Sequence, residues 1–128
     1  MSYHISRTVD MGFEEAVSRT VEELKKEGFG VLTDIDVKKV LRDKLDVEFP
    51  KYRILGACNT PLAYETLKAE ERVGLMLPCN VIVRETSDGK VEVSAIDPLS
   101  AMGVVGNESL AETGKAVRDK LSTVIEGV

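Results

Sequence analysis

Apolar residues along the chain follow two periods, and their order predicts a strand, a helix, four more strands with short helices between them, and a last helix. Residues 3–9 alternate between apolar and polar side chains, which is typical of a half-buried strand. The next stretch has helical spacing, with apolar side chains at Phe13, Ala16, Val17, Val21 and Leu24. We expect Asp10 to cap this helix and Gly28 to end it, because glycine takes the left-handed conformation beyond a last turn at little cost.

The middle of the chain predicts two short helices inserted between strands. Residues 29–32 form a short apolar stretch that predicts a buried strand, and Asp34 or Asp36 can cap the helix that follows. That helix has an apolar stripe at Val37, Val40, Leu41 and Leu45. Thr60 is the expected cap of the next helix, because Pro61 after it suits the first helical position. The remaining strands are expected over 52–57, 73–86 and 90–96.

The last two strands are expected to form a hairpin, and their charges indicate its register. A two-residue turn would place Glu85 opposite Glu92, whereas a three-residue turn over 87–89 places Arg84 opposite Glu92. Opposite charges across a strand pair are favourable and like charges are not, so we expect the longer turn, with Gly89 left-handed. The same register pairs Val83 with Val93 and Val81 with Ala95.

The last helix follows an unusually apolar segment. Residues 98–106 are expected to be a loop in which 103–106 form a packed turn, after which Asn107 or Ser109 caps the helix. Its apolar face is formed by Leu110, Val117, Leu121 and Val124. Gly114 lies on that face and indicates a close backbone approach to the sheet or to a second subunit. The whole pattern predicts a single α+β domain over 1–128, with helices on one face of a mainly antiparallel sheet.

The composition excludes several classes of protein. A chain of 128 residues fits one domain and needs no disulfide or metal to fold. The net charge of -5 argues against partners such as nucleic acid or an anionic membrane, because both select a basic surface. Residues 1–9 have no apolar core of a signal peptide, and two cysteines suit a reducing compartment, so we expect a cytoplasmic protein.

Candidate chemistry is concentrated in two dipeptides, Cys58-Asn59 and Cys79-Asn80. The first precedes the helix start at Thr60, where unpaired backbone N–H groups favour a negative charge and stabilise a thiolate. The second follows a proline, which indicates a strand edge or bulge. If the two strands are neighbours, both dipeptides approach one cleft. We therefore expect a site for a small polar or anionic ligand formed by Cys58, Asn59, Thr60, Cys79 and Asn80.

Other interpretations of the same residues stay open. A free cysteine commonly behaves as a small buried hydrophobe, and Cys58 and Cys79 could also form a redox-active disulfide. A metal would have to use His4, both cysteines and a carboxylate or a second subunit, because the chain has only these three His and Cys residues. No cofactor, metal site or catalytic residue is predicted.

Several of these motifs together resemble one family over essentially the whole chain. The segments GFGVLT (28–33), LGACN (55–59), GLMLPCNV (74–81) and IDP (96–98) resemble the domain of unknown function family 302. This resemblance implies a TATA-binding-protein-like fold with strand-helix-four strands-helix order, and association as dimers. It implies no activity, and the shared fold does not imply DNA binding.

Three hypotheses about function follow. The first is a dimeric module that binds or senses a small ligand near the two Cys-Asn pairs. The second is thiol-dependent redox chemistry or metal handling by Cys58 and Cys79. The third is a structural protein that forms a homodimer through residues 99–105 and the Gly114 face of the last helix.

Overall fold

The five strands form one antiparallel sheet in the order β1-β5-β4-β3-β2 in a computed structural model, which describes residues 2–128. The strands are β1 His4–Val9, β2 Gly30–Asp36, β3 Tyr52–Cys58, β4 Cys79–Glu85 and β5 Val91–Ile96. The helices are α1 Phe13–Lys26, α2 Val37–Leu45, α3 Thr60–Ala69, α4 Pro98–Gly103 and α5 Ala111–Gly127, with 3-10 turns at Val73–Met76 and Glu108–Leu110. This order confirms the predicted α+β fold.

The main core lies between the sheet and the two long helices, α1 and α5. Alternate residues of the central strands face these helices and are fully buried: Leu55, Val81, Val83, Val93 and Ala95. A second, smaller hydrophobic cluster contains Val73, Met102 and Leu110 and lies beside α4. The described residues therefore bury their apolar side chains in two separate clusters.

The predicted hairpin register between β4 and β5 is confirmed. Arg84 lies opposite Glu92, and Gly89 has the expected left-handed backbone with a φ of +80°. The Nε of Arg84 donates to Oε1 of Glu92 at 2.9 Å. This is the ion pair from which the register was predicted.

Three predicted details of the first half are wrong. Gly12, not Asp10, is the N-cap of α1, although Gly28 ends the helix with a φ of +84° as expected. The second strand is longer than 29–32 and largely exposed, because β2 is an edge strand that pairs only with β3 and bulges at Leu32. Asn59 caps α3 in place of Thr60, which is the first residue of that helix.

Helix α2 has the predicted apolar stripe, but none of its residues is buried. Asp36 caps it by accepting a hydrogen bond from the backbone N–H of Lys39 at 3.0 Å. The stripe residues Val40 and Leu45 are 39% and 66% exposed. The packing of the single chain therefore leaves this amphipathic helix with an uncovered apolar face.

The second half also departs from the prediction at four places. Residues 73–76 form a 3-10 turn instead of a strand, and 98–103 form α4 instead of an irregular turn, capped by the carboxylate of Asp97. Gly114 approaches α4 instead of the sheet: a Cβ there would lie 3.7 Å from the Cα of Leu99. Helix α5 begins at Ala111 without the predicted cap, because Asn107 caps the 3-10 turn before it.

Candidate functional site

Three of the predicted site residues lie around one small cavity where β3 and β4 approach α3 and α5. Cys58, Asn59 and Cys79 line it, together with mainly apolar neighbours such as Phe29, Leu62 and Val117. We call it the thiol cavity. Its volume is about 30 Å³. Because a water molecule needs roughly 10–15 Å³ measured this way, the cavity holds about two waters and no metabolite in this conformation.

The two thiols differ in their environment. Cys79 is 8% exposed, whereas Cys58 is half-buried. Burial, and to a smaller extent the nearby charge of Cys58, raises the pKa of Cys79 to about 11. Cys79 therefore remains a neutral thiol at physiological pH, which is unfavourable for a nucleophile or a metal ligand.

Asn59 is already engaged within the fold. Its Oδ1 accepts a hydrogen bond from the backbone N–H of Leu62 at 3.4 Å, which caps α3. Its Nδ2 donates to the carbonyl oxygen of Glu27 at 3.2 Å, which ties α3 to the end of α1. Both ends of the amide have partners in the chain, so Asn59 positions α3 instead of presenting a free polar group to the cavity.

Thr60 and Asn80 do not line the thiol cavity. Thr60 is an exposed residue at the start of α3. Asn80 is exposed on the opposite face of the sheet, because successive side chains of a strand alternate and Cys79 already faces the helices. The predicted common cleft for both Cys-Asn pairs is therefore wrong for Asn80. Of the second pair, only Cys79 lines the thiol cavity, beside Cys58 and Asn59.

A polar cluster that the sequence did not reveal lies on the sheet face opposite α1 and α5. Ser6 and Ser94 lie side by side on β1 and β5, with their hydroxyl oxygens 2.6 Å apart. His4 contacts Ser6 at one end of the cluster, and Glu92 accepts from Ser94 at the other. Only the Arg84–Glu92 pair had a sequence signal, since nothing in the sequence indicates that β1 lies next to β5.

The described part of the chain contains neither a candidate metal-binding cluster nor a helix that could span a membrane. Residues 2–128 contain no group of three or more His, Cys, Asp or Glu side chains placed to hold a metal ion. Within the same residues, every helix is too short or too polar to cross a bilayer.

Comparison with known proteins finds a similar solved structure and a matching family model. The chain is similar to the crystal structure of an uncharacterized conserved DUF302 protein from Bacillus stearothermophilus, with a TM-score of 0.92, 28% sequence identity and coverage of 98% of each chain. No curated protein matches it. The family model of DUF302, a domain of unknown function, matches residues 5–128. The chain therefore belongs to the DUF302 family.

Proposed function

We propose that this domain is a binding module that holds a small, mainly apolar molecule in an expanded form of the thiol cavity. The observation that carries the proposal is the position of the cavity between the two hydrophobic clusters of the fold. Ala57, Cys79 and Val117 on its wall belong to the main core, whereas Met102 belongs to the smaller cluster. A guest can enlarge the cavity by separating these clusters without breaking either one.

Helix α4 is the element best placed to move. It has only six residues, and two of them, Pro98 and Met102, line the cavity. It packs on α5 across Gly114, where the absence of a side chain leaves a smooth surface. Ligand cavities in proteins usually measure about 300–1,000 Å³, so an outward shift of α4 is required before a ligand fits.

The surroundings favour an apolar guest over the polar or anionic ligand expected from the sequence. Asn59 uses its amide oxygen on the N–H of Leu62, so the start of α3 does not offer that donor to an anion. The burial that raises the pKa of Cys79 also disfavours an anionic guest beside it. For the same reason the hypothesis of thiol-based catalysis is less favoured than binding.

A larger side chain on α3 that fills the thiol cavity tests the proposal. Benzene and indole are added to ¹⁵N-labelled protein, and backbone amide shifts around Cys58, Met102 and Val117 are followed to saturation. The Ala63→Leu variant places extra carbon in the cavity, because Ala63 lines it, whereas Ala69→Leu adds the same group on an exposed part of α3. We expect Ala63→Leu to abolish the shifts and Ala69→Leu to retain them.

Either of two results would contradict this function. One is the absence of saturable shifts in the wild-type protein at millimolar guest concentration. The other is binding that Ala63→Leu leaves unchanged while circular dichroism shows that the variant is folded.

A homodimer is a second candidate, favoured by the uncovered stripe of α2 (Val37, Val40, Leu41 and Leu45). We propose a second copy of the chain as the occupant, because the strand before the stripe also exposes apolar side chains. Strand β2 lies at the edge of the sheet, and its Leu32 and Ile35 are 67% and 45% exposed. A two-fold axis at this edge lets the same apolar elements of two copies cover each other.

This location replaces the one predicted at 99–105 and Gly114, since α4 of the same chain already packs against Gly114. Sedimentation velocity at micromolar concentration tests the dimer. Leu45→Glu should convert it to a monomer, and Leu75→Glu is the matched control, because Leu75 is also an exposed leucine (86%) but lies outside the stripe. A wild-type monomer, or equal effects of both variants, would remove this candidate.

A further inference from the structure

The sheet face opposite α1 and α5 has two adjoining hollows that are much larger than the thiol cavity. Their volumes are about 440 and 210 Å³, and both are lined by Tyr3, His4, Tyr52, Ile82 and Ser94. We call the combined surface the open-face hollow. Its size lies within the range of small-molecule sites, which is roughly 300–1,000 Å³. Unlike the thiol cavity, it needs no opening to admit a ligand.

A chain of hydrogen bonds crosses one side of the hollow and fixes the direction of its donors. Hydrogen bonds from Arg84 and Ser94 outweigh the effect of burial and lower the pKa of Glu92, so that this group is a carboxylate and accepts. The Ser94 hydroxyl donates to Glu92, and its oxygen therefore accepts from Ser6. Ser6 in turn accepts from Nδ1 of His4 at 2.6 Å.

Several polar groups beside this chain have no hydrogen-bond partner within residues 2–128. Arg84 and Ser94 both bond to Oε1 of Glu92, so that Oε2 is free. Arg84 uses only its Nε, which leaves the Nη groups as donors. The exposed amide of Asn80 contributes a donor and an acceptor at the other end of the hollow. Hydrogen-bonding groups of both kinds thus converge on one surface.

The remaining surface is apolar and aromatic. Ile82 is half-buried and contributes to both hollows, as do the rings of Tyr3 and Tyr52. Each ring is supported by a neighbour: Tyr3 lies edge-on to His4 with centroids 5.0 Å apart, and Tyr52 lies 6.2 Å from Phe49. Such rings offer flat contact surfaces to a planar ligand, as in proteins that stack on bases.

We infer that the open-face hollow binds a neutral, planar heteroaromatic molecule of the nucleobase or nucleoside class, held by Tyr3, Tyr52 and Ile82 and oriented by Arg84, Glu92 and Asn80. A ring of this class has donors and acceptors along its edge, which match the free Nη groups and the free Oε2. The opposite charges of Arg84 and Glu92 cancel locally, which favours a nucleoside over a phosphorylated nucleotide.

Titration calorimetry and amide shifts with guanosine and adenosine test this inference. We expect saturable binding of at least one nucleoside, with shifts at Ile82 and Ser94. Glu92→Gln and Asn80→Ala should each weaken it about tenfold, the loss expected when a group that bonds the ligand is removed. Glu85→Gln is the matched control for Glu92→Gln, because Glu85 ends the neighbouring strand β4 but does not line the hollow.

One further variant separates this site from the thiol cavity. Ala63→Leu, which fills the thiol cavity, should leave nucleoside binding unchanged, so that the two proposals can fail independently. Three results would overturn the inference. The first is no saturable binding of either nucleoside at millimolar concentration, and the second is equal affinity in Glu92→Gln and wild type. The third is a set of amide shifts at Ile82 and Ser94 that depend on protein concentration in the absence of ligand. The last result would mean that a second copy of the chain covers this face.

Discussion

Cys79 and Asn80 are neighbours in sequence, but their side chains lie on opposite faces of the sheet. Cys79 contributes to the thiol cavity under the helices, and Asn80 contributes to the open-face hollow. The motif that looks like one site in the sequence therefore serves two separate surfaces, and the two can be tested by separate substitutions.

The two thiols should react at different rates. With a pKa of about 11, Cys79 is a thiolate in roughly one molecule in 3,000 at pH 7.5, and its burial also excludes reagents. We expect iodoacetamide to modify Cys58 at least about tenfold faster than Cys79 in the folded protein, as judged by mass spectrometry of the labelled peptides. The rate at Cys79 should rise as the pH approaches 11. Protein unfolded in urea is the control, and equal rates in the folded state would contradict the expected burial.

Two glycines should respond oppositely to alanine. A Cβ at Gly56 would overlap the side chain of Thr33 and lie 2.8 Å from Cγ of Pro78, so Gly56→Ala should lower the free energy of unfolding by about 1–3 kcal/mol. A Cβ at Gly114 meets only ordinary contacts near 3.7 Å, so Gly114→Ala should be neutral or stabilise the helix by up to about 1 kcal/mol. Urea unfolding measures both, and a destabilised Gly114→Ala would contradict the packing described for α4.

Asn59 should matter more for stability than Thr60, although both were predicted site residues. Asn59→Ala removes the cap of α3 and the hydrogen bond to Glu27, and we expect a loss of about 1–3 kcal/mol. Thr60→Ala should change the free energy of unfolding by less than about 0.5 kcal/mol, because Thr60 is exposed and forms no side-chain hydrogen bond within residues 2–128. Similar losses in both variants would indicate a role for Thr60 that its exposure does not explain.

The ion pair between Arg53 and Asp34 should make part of the stability depend on pH. The hydrogen bond from Arg53 lowers the pKa of Asp34 below its ordinary value of 3.8, against the opposite effect of burial. The contribution of the pair is therefore complete above pH 4 and is lost as the pH falls through the folded pKa. Because the pair is partly exposed, Asp34→Asn should destabilise the protein by only about 0.5–1 kcal/mol at neutral pH.

Urea unfolding of this variant and the wild type between pH 7 and pH 2.5 tests the sign of that effect. The difference should shrink at acid pH, and the exposed Asp10→Asn serves as the matched control. A difference that grows as the pH falls would mean that Asp34 is not held in its charged form.

Local patterns in the sequence predicted the parts of the fold that depend on near neighbours. The register of β4 and β5 was predictable because one short turn fixes it and because Arg84 and Glu92 favour one alignment. The end of α1 was predictable from Gly28, whose conformation is set by its own backbone.

The features that could not be predicted from the sequence depend on long-range packing. The exposure of α2 and β2 depends on which strand lies at the sheet edge, and the sequence pattern of Val40 and Leu45 is the same whether or not a partner covers them. Asn59 and Thr60 are both good caps, and only the reach of Asn59 to the carbonyl of Glu27 distinguishes them. The contact between Ser6 and Ser94 joins residues 88 positions apart, which no local pattern indicates.

The position of β1 beside β5 has a consequence for how the chain folds. Strands β4 and β5 are joined by a turn of a few residues. Strand β1 can pair with β5, as His4 does with Ile96, only after a loop of more than 80 residues has closed. Backbone amides of the hairpin should gain protection from hydrogen exchange early in refolding, and those of β1 late. Because His4 and Ser6 lie on that late strand, the polar side of the open-face hollow is completed only in the last stage of folding.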